Sequence, residues 1–270
     1  MSETTSRIAG ALTADLPTVD IDGTPVHLVD SDDAGSLIAA AAARRGDRPV
    51  GVVSINLDHV HHFGASLRAR RGLDAIDPHA GAIDWLNLID GAPIARQTAR
   101  VTGVAYPKLS GSDLIGPVLD DAAQSGRTVG VIGGSAEVTA TLMKRFAADW
   151  PGIRFAGHWT PSREDLSGGL SPRIAEEMRE QGVDILLVCL GKPRQEQWIA
   201  EHGAATGAGV LLAFGAVVDF LAGRVTRAPR WVSESGLEWA WRLMLEPRRL
   251  ARRYLIQGPP AYLAVRRSAR

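Results

Sequence analysis

The feature that most constrains this chain is a strict alternation of short apolar runs with longer helical patterns. The runs are Val26–Val29, Val50–Ile55, Trp85–Ile89, Thr128–Ile132, Arg154–Gly157, Asp184–Leu190 and Val210–Phe214. They are short and rich in β-branched residues, and several stop at Gly or a small polar residue, as strands feeding loops do. Between them the 3.6-residue period predicts helices over Asp33–Arg45, Asp58–Arg70, Asp113–Ser125, Ala136–Asp149, Ser171–Gln181 and Arg194–Thr206. Continuously apolar strands alternating with helices read as an α/β fold: a three-layer, Rossmann-like, mostly parallel sheet. Ligands of such sheets bind beyond the carboxyl ends of the strands. The residues that follow each strand are therefore the first candidates for function.

The texture changes near Arg224. From Arg224 to Arg270 there are 11 Arg against 3 Glu, whereas the preceding 223 residues hold 19 basic and 27 acidic side chains. The zero net charge of the whole chain carries no nucleic-acid signature. A basic tail on an acidic body points to an anionic partner for the tail. Trp231, Trp239 and Trp241 are interleaved with the Arg residues, and helices are expected over Pro229–Leu245 and Arg248–Leu255, broken at Pro247. This divides the chain into a loosely ordered start (1–20), an α/β catalytic domain (21–223) and a helical, membrane-docking appendage (224–270). No apolar run reaches the roughly 18 residues a membrane span needs, so membrane contact is expected to be peripheral. The opening Met1-Ser2-Glu3-Thr4 has no signal-peptide pattern, and the one cysteine, Cys189, suits a reducing compartment.

Four strand ends carry residues with chemistry. Ser54 and Asn56 sit at the carboxyl end of Val50–Ile55, where Asp58 would act as the N-cap of the next helix. Asp90-Gly91 ends Trp85–Ile89, and a carboxylate there is either half of a turn or a general base. Gly133-Gly134 precedes a helix and could admit a phosphate or merely a tight turn; it is no dinucleotide fingerprint and no Walker loop. Gly191-Lys192-Pro193-Arg194-Gln195-Glu196 ends the sixth run, and Glu196 there could simply pair with a helix dipole.

Taken in order, these segments resemble a known family. The set is Ser54-x-Asn56, Asp90-Gly91, Gly111-x-Asp113-Leu114, Gly133-Gly134, Gly191 to Glu196, Asp219-Phe220-x-x-Gly223, Arg227-Ala228-Pro229-x-Trp231 and the long segment Gly236 to Tyr254. It is similar to the WecG/TagA/CpsF family, glycosyltransferase family 26, over about residues 20 to 256. The resemblance implies an inverting transfer of N-acetylmannosamine or a related hexose from a UDP-sugar to a polyprenyl-diphosphate-linked acceptor, as in bacterial surface-polymer synthesis. It implies no cofactor and no metal. It implies Asp90 as general base, with Ser54 and Asn56 beside it, and Gln195, Arg194, Glu196, Gly133, Gly134, Lys108 and Asp113 around the substrates. It further implies that Arg242, Arg249 and Arg252 close over the site and neutralise diphosphate charge, on the inner face of the cell membrane and in a chain that can self-associate. Two positions depart from the pattern: Ser54 stands where the family usually has Thr, and Lys108 near its usual Arg.

Other readings compete. Asp30-Ser31-Asp32-Asp33 and Asp58-His59-x-His61-His62 could suggest metal ligands, although the first reads as an N-cap cluster and the second has no firm third ligand. A dehydrogenase would need a G-x-G-x-x-G turn that no strand feeds. A non-catalytic UDP-sugar sensor or membrane tether would share the fold and the tail.

Overall fold

The computed structural model describes residues 12–45, 48–71, 82–224 and 238–268. Six strands form one fully parallel sheet: β3 (Val50–Ile55), β4 (Asp84–Ile89), β5 (Thr128–Gly133), β6 (Arg154–Trp159), β7 (Ile185–Cys189) and β8 (Val210–Ala213), in the order β4-β3-β8-β7-β5-β6. Successive strand residues alternate between two separate cores. Val50, Val52, Leu86, Leu88, Ile185, Leu187, Val210 and Leu212 enter the first, with the helices Ser31–Ala42, Gly111–Gln124, Thr139–Asp149 and Val217–Leu221. Val53, Ile55, Trp85, Ile89, Leu186, Val188, Leu211 and Ala213 enter the second. The strands lack a polar face because helices cover both sides, so the three-layer Rossmann-like fold expected from continuous apolar runs is present.

The run expected at Val26–Val29 belongs elsewhere. β1 (Thr18–Ile21) and β2 (Thr24–His27) form an antiparallel hairpin of their own. It lies against the β4 edge: Asn87 N–H donates to His27 Nδ1 at 2.9 Å, and Asn87 Nδ2 donates to Pro25 O at 2.7 Å. An edge strand covered in this way presents less backbone to other chains. Upstream, the buried Thr13 donates through its backbone N–H and its hydroxyl to Asp84, so the chain is fastened from residue 13 onward.

Three helix expectations change. The helix expected over Asp58–Arg70 is two helices, Leu57–Phe63 and Ala65–Arg71, parted by Gly64 in an extended conformation. Its N-cap is Asn56, not Asp58: Asn56 Oδ1 accepts from His59 N–H at 3.1 Å and leaves Asp58 in the first turn. An unexpected helix, Ala92–Thr102, follows β4. The Asp30 cluster is an N-cap as expected, with Asp30 Oδ1 accepting from Asp32 and Asp33 N–H at 2.9 Å.

The largest revision concerns the C-terminus. After Glu238–Leu245 and Pro247–Ala251 come a π-helical turn (Arg252–Gln257) and a helix over Gly258–Arg267. The Gly258-Pro259-Pro260 sequence looks like a breaker but starts this helix, since Pro in a first turn forfeits no intrahelical bond. Ala261, Ala264 and Val265 pack into the second core, against the body. The region 225–237, with Trp231 and the start of the expected Pro229–Leu245 helix, lies outside the described residues.

Burial lowers the pKa of His27, although the nearby Asp84 acts the other way; burial also lowers that of His202. As the pH falls below about 6.5, the unfolded chain takes up protons that the folded chain refuses, so stability declines with acidification. We expect the melting temperature to drop from about pH 7.5 to about pH 5.5, and to drop less in His27→Asn, whose amide oxygen can still accept from Asn87. An unchanged slope would remove His27 from the account.

Candidate active site

The site grows from the sheet. The helix after β3 covers the second core, while the helix after its neighbour β8 covers the first. The two connections part at the carboxyl ends, where an open α/β sheet forms its crevice. A cavity of about 480 Å3 lies there, within the range for small-molecule sites. It draws Ser54 and Asn56 from β3, Asp90 from β4, Gly191, Lys192, Arg194 and Gln195 from β7, and Gly215 from β8. Arg163 enters from the connection after β6, and Leu250, Arg253 and Gln257 from the C-terminal segment.

Asn56 does two jobs. With its Oδ1 committed to capping the helix Leu57–Phe63, its Nδ2 donates to Asp90 Oδ2 at 2.9 Å. The cap thus fixes which end of the amide meets the carboxylate. Asp90 Oδ1 has no donor among the described residues, which leaves one carboxylate oxygen available to a ligand's proton.

Lys192 is the electrostatic centre of the wall. Its ammonium is nearly buried and forms an ion pair with buried Glu196 Oε1 at 3.0 Å. It also donates to Ser54 O at 2.8 Å and to His59 Nδ1 at 3.3 Å. An ammonium has no acceptor, so His59 Nδ1 must accept. Gln195 Nε2 donates to Ala213 O at 2.7 Å and to Glu196 Oε1 at 3.1 Å. The Ser54 hydroxyl and Gln195 Oε1 are buried with no partner among the described residues. Two orphaned polar atoms in one cavity mark a surface shaped for something polar.

The other expected residues divide. Arg194 lines the cavity, its Nη2 donating to Leu190 O at 2.8 Å. Glu196 is no mere dipole partner but the counter-ion of Lys192. Asp113 completes a capping box with Ser110 at the start of Gly111–Gln124, and it is Ser110, Gly111 and Ser112 that line the cavity. Lys108 is exposed and stands outside the lining, as do Gly133 and Gly134. Gly133 has a conformational reason instead: its φ is 97°, and a Cβ there would come within 2.5 Å of Cys189 O. Arg252 is exposed, whereas its neighbour Arg253 lines the cavity and pairs with Asp58 Oδ2 at 3.4 Å. The side chains of Arg242 and Arg249 lie outside the described residues.

Lys192, Arg163 and Arg253 were the site residues that sequence reasoning missed. Lys192 and Arg253 fell inside the quoted segments, but Arg163 carried no signal beyond its place after a strand end. Among the described residues, no group of three His, Cys, Asp or Glu side chains converges as metal ligands would. Cys189 is buried, its thiol pushed up to about 12 chiefly by desolvation, which makes it inert as a nucleophile.

Removing one partner of a buried ion pair strands the other charge, at about 3–5 kcal/mol. Lys192→Met should therefore lower the urea midpoint strongly, and adding Glu196→Gln should restore much of the loss. If the double variant were no better than the single one, the pair would not be what holds this wall.

Residues 19–270 match the model of the Glycosyl transferase WecG/TagA/CpsF family. Among curated relatives, an N-acetylglucosaminyldiphosphoundecaprenol N-acetyl-beta-D-mannosaminyltransferase of Bacillus spizizenii is 28% identical over 165 residues, and the protein of the same name from Bacillus subtilis is 25% identical over 165 residues. Each match covers 61% of this chain and 62% of the relative, so the chain matches less than two thirds of their length. The family match runs through both cores, the cavity wall and the C-terminal helix, and the chain belongs to the WecG/TagA/CpsF glycosyl transferase family.

Proposed function

We propose that the cavity is the active site of an inverting glycosyltransferase. It moves a hexose of the N-acetylmannosamine type from a UDP-sugar to a polyprenyl-diphosphate-linked saccharide. The observation that carries this reading is Asp90, held through one oxygen by Asn56 in a cavity with two orphaned buried polar atoms. The relatives' printed names support the choice of acceptor and sugar.

Each group has a role in a direct displacement. The acceptor hydroxyl approaches Asp90 Oδ1 and gives up its proton as its oxygen attacks the anomeric carbon. The C–O bond to the diphosphate breaks on the opposite face, and UDP leaves with the bonding pair. The leaving diphosphate needs positive charge. Arg242, Arg249 and Arg252 fill that role by resemblance, and Arg253 adds a guanidinium already seated in the cavity. Charge neutralisation by Arg is the basis for reading the transfer as metal-independent. Ser54 and Gln195 offer polar atoms to the sugar or nucleotide.

The C-terminal segment suits peripheral docking at the inner face of the membrane. Met244, Leu255 and Ile256 are 71%, 61% and 66% exposed, beside the exposed Arg248 and Arg252. Apolar side chains with interleaved cations favour an anionic lipid interface. No helix among the described residues is long and apolar enough to cross a membrane. Self-association stays part of this proposal.

Asp90→Asn should lower turnover by about 10²–10⁴-fold, the usual worth of a general base, with UDP affinity nearly unchanged, and chelator should leave wild-type turnover intact. Near-normal turnover in Asp90→Asn would remove Asp90 as the base. No transfer by the wild type, with UDP bound, would favour a sensor or tether instead.

A further inference from the structure

The body of the protein is net acidic, yet its cavity wall carries two guanidinium groups from separate connections. Arg163 follows β6, and Arg194 opens the helix Arg194–His202 after β7. Arg194 is held in place by its bond to Leu190 O, whereas the Arg163 side chain makes no hydrogen bond or ion pair among the described residues. Neither is paired with a carboxylate among those residues. Burial and the neighbouring Arg163 together lower the pKa of Arg194, so the two groups feel one another. Arg163 is exposed and Arg194 half-buried, so water screens part of their repulsion and leaves both forks accessible from the cavity. An anion would relieve the repulsion that remains.

A second, independent observation lies beside them. Gln195 is 1% exposed, and its Oε1 has no donor. Both donor hydrogens are already engaged through Nε2, by Ala213 O and Glu196 Oε1, so the amide's orientation is set. A Cβ on Gly215 would stand 2.8 Å from Oε1, so a glycine keeps that oxygen approachable from the cavity. The wall therefore offers two cationic forks and one acceptor to the same cavity.

We propose that Arg163 and Arg194 form a two-guanidinium subsite for a diphosphate, with Gln195 Oε1 receiving an O–H or N–H of the group attached to it. The planar fork of Arg matches paired phosphate oxygens. Arg163 thereby becomes a substrate-binding residue on the body itself, distinct from the cations of the C-terminal segment. The inference rests on the reading that a sugar transfer occurs in this cavity. Donor and acceptor in such a transfer both carry a diphosphate, so the source is separated by experiment.

Calorimetry on the full chain would use inorganic pyrophosphate, UDP, uridine and farnesyl diphosphate as titrants. Wild type, Arg163→Gln and Arg163→Lys would be compared, with circular dichroism confirming that each is folded. Losing one charge-assisted contact should weaken pyrophosphate about tenfold or more in Arg163→Gln and less in Arg163→Lys, with uridine unchanged. A parallel loss for UDP alone assigns the seat to the donor, for farnesyl diphosphate alone to the acceptor, and for both to a seat they share. Unaltered pyrophosphate binding in Arg163→Gln, an equal loss for uridine, or no pyrophosphate binding by the wild type would overturn the subsite. Arg163-dependent pyrophosphate binding without any UDP binding would instead sink the UDP-donor reading and leave the subsite standing.

Discussion

A buried ammonium holds the site together. Lys192 leaves the end of β7, reaches past β8 and meets the carbonyl of Ser54 at the end of β3. Its counter-charge, Glu196, sits one helical turn further along its own chain. A charge taken out of water must find partners, because the alternative costs several kcal/mol. Those partners lie on elements that are not neighbours in the sheet, so satisfying Lys192 fixes the distance between two walls of the crevice. Gln195, bonded to Glu196 and to the β8 carbonyl of Ala213, extends the same network to the strand between them.

The sheet was legible because its physics is repetitive. A strand covered by helices on both faces must be apolar throughout, and six of the seven expected runs are its six strands. The convergence of Ser54, Asn56, Asp90 and Gln195 followed from the rule that parallel strands present their carboxyl ends together. What escaped had weaker local signals. β1 is four residues long and pairs only with its neighbour β2. The break at Gly64 lies inside an unbroken helical pattern.

Side-chain roles were harder to read than positions. Asp113 and Asn56 both stand at helix starts, and either could have been cap or ligand-binding group. Asp113 caps, whereas Asn56 caps and also holds Asp90. In the Arg-rich segment the spacing alone does not say which Arg turns inward. Adjacent helical residues point about 100° apart, and here Arg253 enters the cavity while Arg252 stays outside. A charge count finds such a segment but does not orient it.

The helix Gly258–Arg267 changes what the preceding chain is mechanically. Ala261, Ala264 and Val265 anchor it in the second core, and the helix Val217–Leu221 anchors the other side in the first. The described helices from Glu238 to Gln257 are therefore held to the body through the helix that follows them. Ribosomal synthesis feels the same constraint. The second core stays open until Val265 has emerged, and a chain shortened before Gly258 would keep Leu250, Arg253 and Gln257 but lose part of the interior that seats them.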